Sequence, residues 1–520
     1  MINIKPFITT LLILFCNTVF AQSASVVRME VPAPLESAAF HLEPLGQKGV
    51  LVFYESNEIS DAGLRKWYFG LFDTQLKQVW LKFIPLHDGI EYVQSVKNGM
   101  MTHFLFRSAK SKKSSDDFYE IVSYNTHKEA FSNISGTIPE NADIAGFKAI
   151  DDIACLGLNL KKDHTDVLFI NLNNGAIEVQ TLESENESYI ESIAADHLNK
   201  NFYVTVKYIR DKKYLEDKIL KYSDRGTLEK TYPVQNTENL RTPRNFVILP
   251  EKNNTLTILG TYDFISGKAV LSQDANEDRE ANSAGMFFLQ YKNDEQNTLK
   301  FYDFMSFDNI YGSLQGREMV YTKKPDDTDE NQKPEKKLSA FFYFNAPEVI
   351  EFNDQYIFSV ETYKPIYNTE TRMEYDFYGR PMPRTYSVFE GYQFYDLIIA
   401  SLSEKGDLIW NNDFEIKGLK SFFMKKQVAV FRAGEFLSMA YVNNGNLYAQ
   451  TIDGPVDISK EETAVESKHA KDWISEDRNN TIVHWYDEYF LIHGYQKIKN
   501  RSLGDQSTRT VFYVNKVAYN

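Results

Sequence analysis

Cysteine is nearly absent from this chain. Of two in 520 residues, Cys16 lies in an apolar N-terminal stretch and only Cys155 in the body. One thiol allows no internal disulfide and no Cys-based zinc site, so the fold must be held by its core. Cys155 sits in the apolar run Ile153-Ala154-Cys155-Leu156-Gly157-Leu158, which reads as a buried strand rather than a reactive thiol. Positive charge is also scarce: 57 Lys and Arg stand against 72 Asp and Glu, a formal net charge of −15. That balance argues against nucleic acid, which is gripped through clustered cations, and against anionic lipid.

Catalytic signatures are missing as well. There is no Gly-x-Ser-x-Gly elbow, no phosphate-cradling Gly-x-x-x-x-Gly-Lys loop and no His-Glu-x-x-His pair. The nine histidines are scattered; His484 and His493 are close enough to meet across a hairpin, but two imidazoles without a third ligand are poor evidence for a metal. Long helical stripes are lacking too, which disfavours solenoids and barrels built on helices. No cofactor is expected.

Aromatic residues, by contrast, are abundant, with 32 Tyr and 37 Phe. They suit half-buried pleated strands. The N-terminus has the layout of a secretory signal over residues 1–21: Lys5, an apolar stretch from Phe7 to Phe20, then Ala21 before Gln22. The expected mature chain, 22–520, is exported, periplasmic or extracellular, and has no transmembrane anchor. Loss of Lys5 moves the charge from −15 to −16.

The body is a repeat. Tyr392 to Trp410 is a hairpin in sequence, with an apolar run through Ala400, a turn at Ser403-Glu404-Lys405-Gly406, and alternation resuming to Trp410. Related hairpins turn near Thr74, Thr126, Asn174, Arg225, Asp294, Lys405, Gly454 and Asn515, a period near fifty residues. A second strand pair precedes each one, as in Asn201–Tyr208 and Thr255–Tyr262. The last unit, ending at Asn520, is one strand short, while Ser25–Val31 is a strand without a hairpin partner.

This rhythm resembles the β-propeller superfamily over nearly the whole mature chain. The implied fold is all-β, a single closed β-propeller domain of eight blades (seven if two units merge). The N-terminal strand completes the C-terminal blade and leaves no open edge. Family motifs are partial. No Trp-Asp dipeptide occurs. Before Trp410, the sialidase pattern finds Ser403 but Lys405 and Asp407 for its Asp and Gly. The quinoprotein pattern finds Ala400, Gly406 and Trp410 but Leu402 for its Asp.

Three insertions interrupt the rhythm, at 266–285, 312–338 and 364–391. The first alternates Asp274, Asn276, Asp278 and Glu280 like the start of a calcium loop, but Arg279 stands where such loops need Gly. In the second, a short helix over Ser313–Tyr321 precedes a charged tether. The third gathers Tyr375, Tyr378, Tyr386 and Tyr392 with Arg380 and Arg384, flat amphipathic rings beside fixed cationic donors. Such a set binds sugars, peptides or carboxylates, or else folds back to cap a blade. The expected role is a non-catalytic scaffold for a protein or glycan ligand. The alternatives are a glycan-active enzyme using channel carboxylates as acid and base, and an envelope or secretion-machinery component held through the second insertion.

Overall fold

The computed structural model describes residues 27–35, 39–108, 117–160, 164–182, 187–210, 213–236, 241–264, 283–307, 319–322, 337–340, 342–469 and 471–518. Residues 1–26 lie outside this set, as do the calcium candidates Asp274, Asn276, Asp278 and Glu280. Among the described residues there is no α-helix, and no helix long and apolar enough to cross a membrane.

Eight antiparallel sheets follow one another along the chain, each built on four strands, the sixth with the two-residue strand Lys420–Ser421 added. They span residues 40–86, 90–138, 143–182, 187–233, 241–303, 343–415, 429–464 and 473–518, the eighth being completed by the strand Arg28–Pro32. This is the blade architecture of a β-propeller. Seven of the eight turns read from sequence separate the third and fourth strands of a sheet. Asn515 does not: it lies inside Thr508–Ala518, paired with Arg28 on one side and Ile492 on the other. The eighth sheet needs no turn there, because its fourth strand comes from the other end of the chain.

That join is specific in register. Arg28 to Pro32 pair with Asn515 to Val511, and Lys516 N–H donates to the Val27 carbonyl at 2.9 Å. Arg28, almost wholly buried, donates to Asn515 Oδ1 and Gln496 Oε1 at 2.8 Å each; Glu30 takes Arg509, which also holds Asp472.

Eight buried apolar clusters fill the gaps between sheets. Seven join consecutive sheets, as where Leu51, Phe53 and Phe69 of the first meet Phe104, Phe106 and Val122 of the second. The remaining one joins the eighth to the first through Met29, Val50, Val52, Leu491 and Phe512. Trp485 of the eighth sheet also donates to the Gly49 carbonyl at 2.8 Å, and Phe40 stacks on Phe512 at 5.0 Å. Cys155 lies in the wedge between the third and fourth sheets, where burial pushes its thiol well up. The aromatic load is thus explained: large flat side chains fill wedges between twisted sheets.

Second and third strands are the buried ones and fourth strands the exposed ones, as in the mostly exposed Val456–Ala464. First strands of most neighbouring sheets lie against one another, as 90–98 against 143–150 and 473–486 against 40–44. Six of them carry a register break: between Tyr92 and Gln94, Ile144 and Gly146, Ile190 and Ser192, Arg244 and Val247, Asn345 and Glu348, and Arg478 and Thr481. A bulge bends its strand and re-aims the extra residue, so the first strands present polar groups that a regular ladder would consume. The third-to-fourth turn also packs on the preceding sheet. Gly406, at φ +73°, lies so close to the Phe288 ring that a Cβ would fall 2.2 Å from it.

Two insertions are redrawn. Residues 283–285 belong to the strand Ser283–Lys292, and Met319–Thr322 is a strand paired with Lys337–Ala340, not the end of a helix. Met-Val-Tyr-Thr carries the branched and aromatic side chains that favour a pleated chain.

Candidate functional site

The third insertion is no loop. Gln355–Tyr375 and Pro381–Ser403 pair along their whole lengths, from Gln355 with Ser403 to Tyr375 with Pro381. The sixth sheet uses only the inner part: its first strand pairs as far as Tyr363 and its fourth as far as Asp396. Lys420-Ser421 adds a short bridge to Tyr392-Gln393, and beyond a bulge at Ile366 the ribbon continues alone. From Tyr367 to Tyr375, at ~3.3 Å per residue, the free arm is roughly 26 Å long.

The pleat sorts its side chains, since cross-strand partners share a face. One face carries Tyr367/Phe389, Thr369/Ser387, Thr371/Thr385, Met373/Pro383 and Tyr375/Pro381, without a charge among them. The other carries Glu370/Tyr386, Arg372/Arg384 and Glu374/Met382. The tip is a fixed turn. Asp376 Oδ1 accepts from Tyr378 N at 2.9 Å and Arg380 N at 2.8 Å, and Gly379 takes the left-handed conformation, φ +74°. Phe377 is 98% exposed there and Tyr378 79%.

The six sequence candidates therefore separate. Tyr375, Tyr378 and Arg380 stand together at the tip, Arg380 lying 5.8 Å from the Tyr378 ring. Arg384 and Tyr386 lie on the opposite face from Tyr375, and both engage Glu374. Tyr392 is at the base, half-buried against the core between sixth and seventh sheets, with Tyr363 at 5.5 Å and Phe389 at 4.9 Å. The pleat and the arm's length keep it from the tip. Sequence reasoning missed Phe377, Met373 and Met382, and also the exposed run Phe422-Phe423-Met424 next to the bridge at the arm's base. For Phe422-Phe423-Met424 the signal was available, as three consecutive apolar residues outside any alternating pattern.

His484 and His493 do not meet. His484 pairs in register with Phe490 and bonds the Asp487 carbonyl, while His493 sits opposite Thr481 beside Phe512. Among the described residues no group of three or more His, Cys, Asp or Glu is placed to hold a metal ion.

The buried carboxylates act as ties between sheets. Glu361 of the sixth accepts Gln427 and Val428 N–H at 2.7 Å and Asn345 Nδ2 at 2.9 Å; Asp477 of the eighth accepts Gly445 N–H at 2.6 Å. Burial raises the Glu361 carboxyl from 4.5 to about 7, outweighing those donors and the Lys426 charge, which favour the anion. The folded protein then holds a proton that the unfolded chain has released, so this stability is complete below 4.5 and lost as pH rises through about 7. The loss is ~3 kcal/mol by linkage. Glu361→Gln keeps an acceptor for the two backbone donors and cannot ionise. Urea unfolding should show the variant gaining on wild type by about that amount between about pH 5 and about pH 8. A constant gap would contradict the burial argument.

No protein-family model matches this chain, and no curated protein matches it. Solved structures similar in shape include the WD40 domain of SCAP from fission yeast, with 8% identity, a TM-score of 0.40, and coverage of 95% of this chain and 98% of that one. The β-propeller domain of the Trilobed protease from Pyrococcus furiosus, described as having an open velcro topology, shows 8% identity, a TM-score of 0.31 and coverage of 83% and 98%. The polysaccharide lyase Uly1 shows 10% identity, a TM-score of 0.37 and coverage of 83% and 90%. At TM-scores below 0.5 these likenesses bear on neither ligand nor activity.

Proposed function

We propose that the chain is an exported, non-catalytic propeller whose eight blades close into a ring, and that it serves as a scaffold presenting the arm 367–389 to a protein partner. Closure is supported by the cluster joining eighth sheet to first and by the strand Arg28–Pro32 in the eighth. Export rests on the pattern of residues 1–21.

The observation that carries the binding role is the exposed tip with the uncharged face behind it. An aromatic ring left 98% exposed at the end of a fixed turn gains nothing for folding. Tyr and Arg are the types that dominate interface energetics. The arm holds three acidic and three basic residues and is neutral within a chain of −15, so an acidic partner is not repelled there. Its convex shape fits a groove in a protein better than a glycan, which needs a platform or cleft. The glycan-enzyme alternative is less supported, since Glu361 and Asp477 are committed to backbone donors.

The test is a photo-crosslinking residue at position 377 in the native cell. A discrete adduct is expected, absent when the same residue replaces the exposed Leu198. Fractionation should find the mature chain outside the cytoplasm, beginning at Gln22. The triple variant Phe377→Ala/Tyr378→Ala/Arg380→Ala should lose the partner and keep its melting temperature within about 1 °C, as exposed side chains away from special features contribute little. Lack of an adduct, or a large fall in melting temperature, would refute the role.

A further inference from the structure

The arm has two long edges, and they differ. Asp376 N–H donates to the Arg380 carbonyl at 3.0 Å, which sets the phase of the ladder. Antiparallel partners alternate between pairs that bond each other and pairs whose backbone groups point away. The next pair, Tyr375/Pro381, therefore points outward, and the register runs unbroken from there to Tyr367/Phe389. On the second strand the outward positions begin with Pro381 and Pro383, which have no N–H to offer. On the first they are Tyr367, Thr369, Thr371, Met373 and Tyr375, all exposed and none of them proline. Thr369 N–H shows the phase directly, donating to its neighbour Asn368 Oδ1 at 2.8 Å. Among the described residues no strand pairs with this edge beyond Tyr363. Proline thus blunts one edge of the ribbon, and the other is left as a template for a further strand.

The charges along that edge select the strand. Its charged face reads Asn368, Glu370, Arg372 and Glu374. Arg372 lies directly opposite Arg384 across the ribbon, a like-charge pair that costs stability. The partners of these two cations come from one strand: Glu370 takes Arg372 at 2.9 Å and Glu374 takes Arg384 at 3.1 Å. The order Glu370, Thr371, Arg372 is complementary to its own reverse. When two such edges run antiparallel with Thr371 opposite Thr371, Glu370 of each copy falls opposite Arg372 of the other. These are the pairs whose side chains approach most closely, because the outward groups of Thr371 and its alternates make the hydrogen bonds. A slip by two residues sets Glu370 against Glu370, or Arg372 against Arg372 with Glu370 against Glu374. A slip by one sets outward groups against inward ones.

We propose that the edge Tyr367–Tyr375 pairs antiparallel with the same edge of a second copy of this chain, about a two-fold axis at Thr371. Self-complementarity about a centre is what an isologous contact requires and what an unrelated strand has no reason to meet. The same register sets Met373 opposite Thr369 and Tyr375 opposite Tyr367, so the uncharged faces of the two arms join into one. Asn368 would release Thr369 N–H to the incoming carbonyl. The edge is separate from the tip, so the pairing goes beyond the role of Phe377 and does not depend on it.

Light scattering on the chain beginning at Gln22 should find twice the mass of one copy. Thr371→Pro removes the central outward N–H without touching the ribbon's own ladder, and should give a monomer. Glu370→Arg sets like charges opposite one another twice per dimer and should weaken association about tenfold or more; Glu370→Arg with Arg372→Glu should restore it. Oxidative crosslinking reads the register, since paired Cα atoms in a ladder lie within disulfide reach. Thr371→Cys should join to itself, whereas Glu370→Cys and Arg372→Cys should join to each other in a mixture and not to themselves. Cys155 is buried and does not compete. The triple tip variant should remain dimeric. A monomer at every concentration, a Thr371→Pro dimer as tight as wild type, self-joining of Glu370→Cys as readily as Thr371→Cys, or dissociation of the tip variant would overturn the pairing.

Discussion

A chain that lacks residues 27–35 is expected to lose cooperative unfolding and to associate through the strand Thr508–Ala518. In the complete protein that strand pairs with Tyr489–Lys499 on one side and Arg28–Pro32 on the other, so the deletion bares a row of backbone donors and acceptors. It also strips Met29, Ala33 and Leu35 from the cluster joining the eighth sheet to the first. A buried Met or Leu contributes about 1.5–3 kcal/mol. Arg509 would keep Asp472 but lose Glu30. Circular dichroism against temperature, with size-exclusion chromatography, reads the result. Restoring the segment elsewhere separates topology from sequence. Because Val27 already faces Lys516, residues 25–35 attached after residue 518 through a short glycine loop should recover the transition and the monomer. A truncated chain that melts like the complete one would show that the fold does not depend on this strand.

The legible parts of the sequence were the continuous apolar runs of the inner strands and the turns between them. Second and third strands such as Asn201–Arg210 are buried almost throughout, and turns such as Asp73–Lys77 carry side chains that cap their own backbone, Asp73 Oδ1 accepting from Gln75 and Lys77. Both leave a mark on composition. The arm left a misleading one. Pro381, Pro383, Gly379 and Gly391 read as loop, but a lone two-stranded ribbon has no outer neighbours to deprive of hydrogen bonds, so it tolerates proline. With water on both sides its alternation sets uncharged residues against charged ones, without the apolar runs that mark the inner strands. Tyr392 resembled the tip tyrosines because residue type does not reveal that it packs at the base with Tyr363.

Lys207→Met is expected to be the most damaging single substitution in the interior, at about 3–5 kcal/mol, because it leaves buried carboxylates without their cation. Lys207 Nζ lies 2.8 Å from Asp217, whose side chain is wholly buried, 3.3 Å from Glu191, and 3.1 Å from the Pro243 carbonyl of the next sheet. Methionine preserves the stem and removes the charge. Urea unfolding followed by tryptophan fluorescence gives the cost, and Lys207→Met/Asp217→Leu shows its origin. Removing both partners should recover most of the loss, since an apolar pair of similar volume can be as stable as a buried ion pair. Proton linkage supplies an independent sign. Burial, and then Glu191, raises the Asp263 carboxyl, while Arg244 and Lys207 oppose the rise. A carboxyl raised in the folded state gives stability at low pH that is lost as pH climbs through its folded value. Without Lys207 that value moves higher still, so the defect should be larger at neutral pH and shrink under acid. A defect that is small at neutral pH, or that grows on acidification, would mean that water screens this cluster, and the fourth and fifth sheets would then be held by their apolar wedge alone.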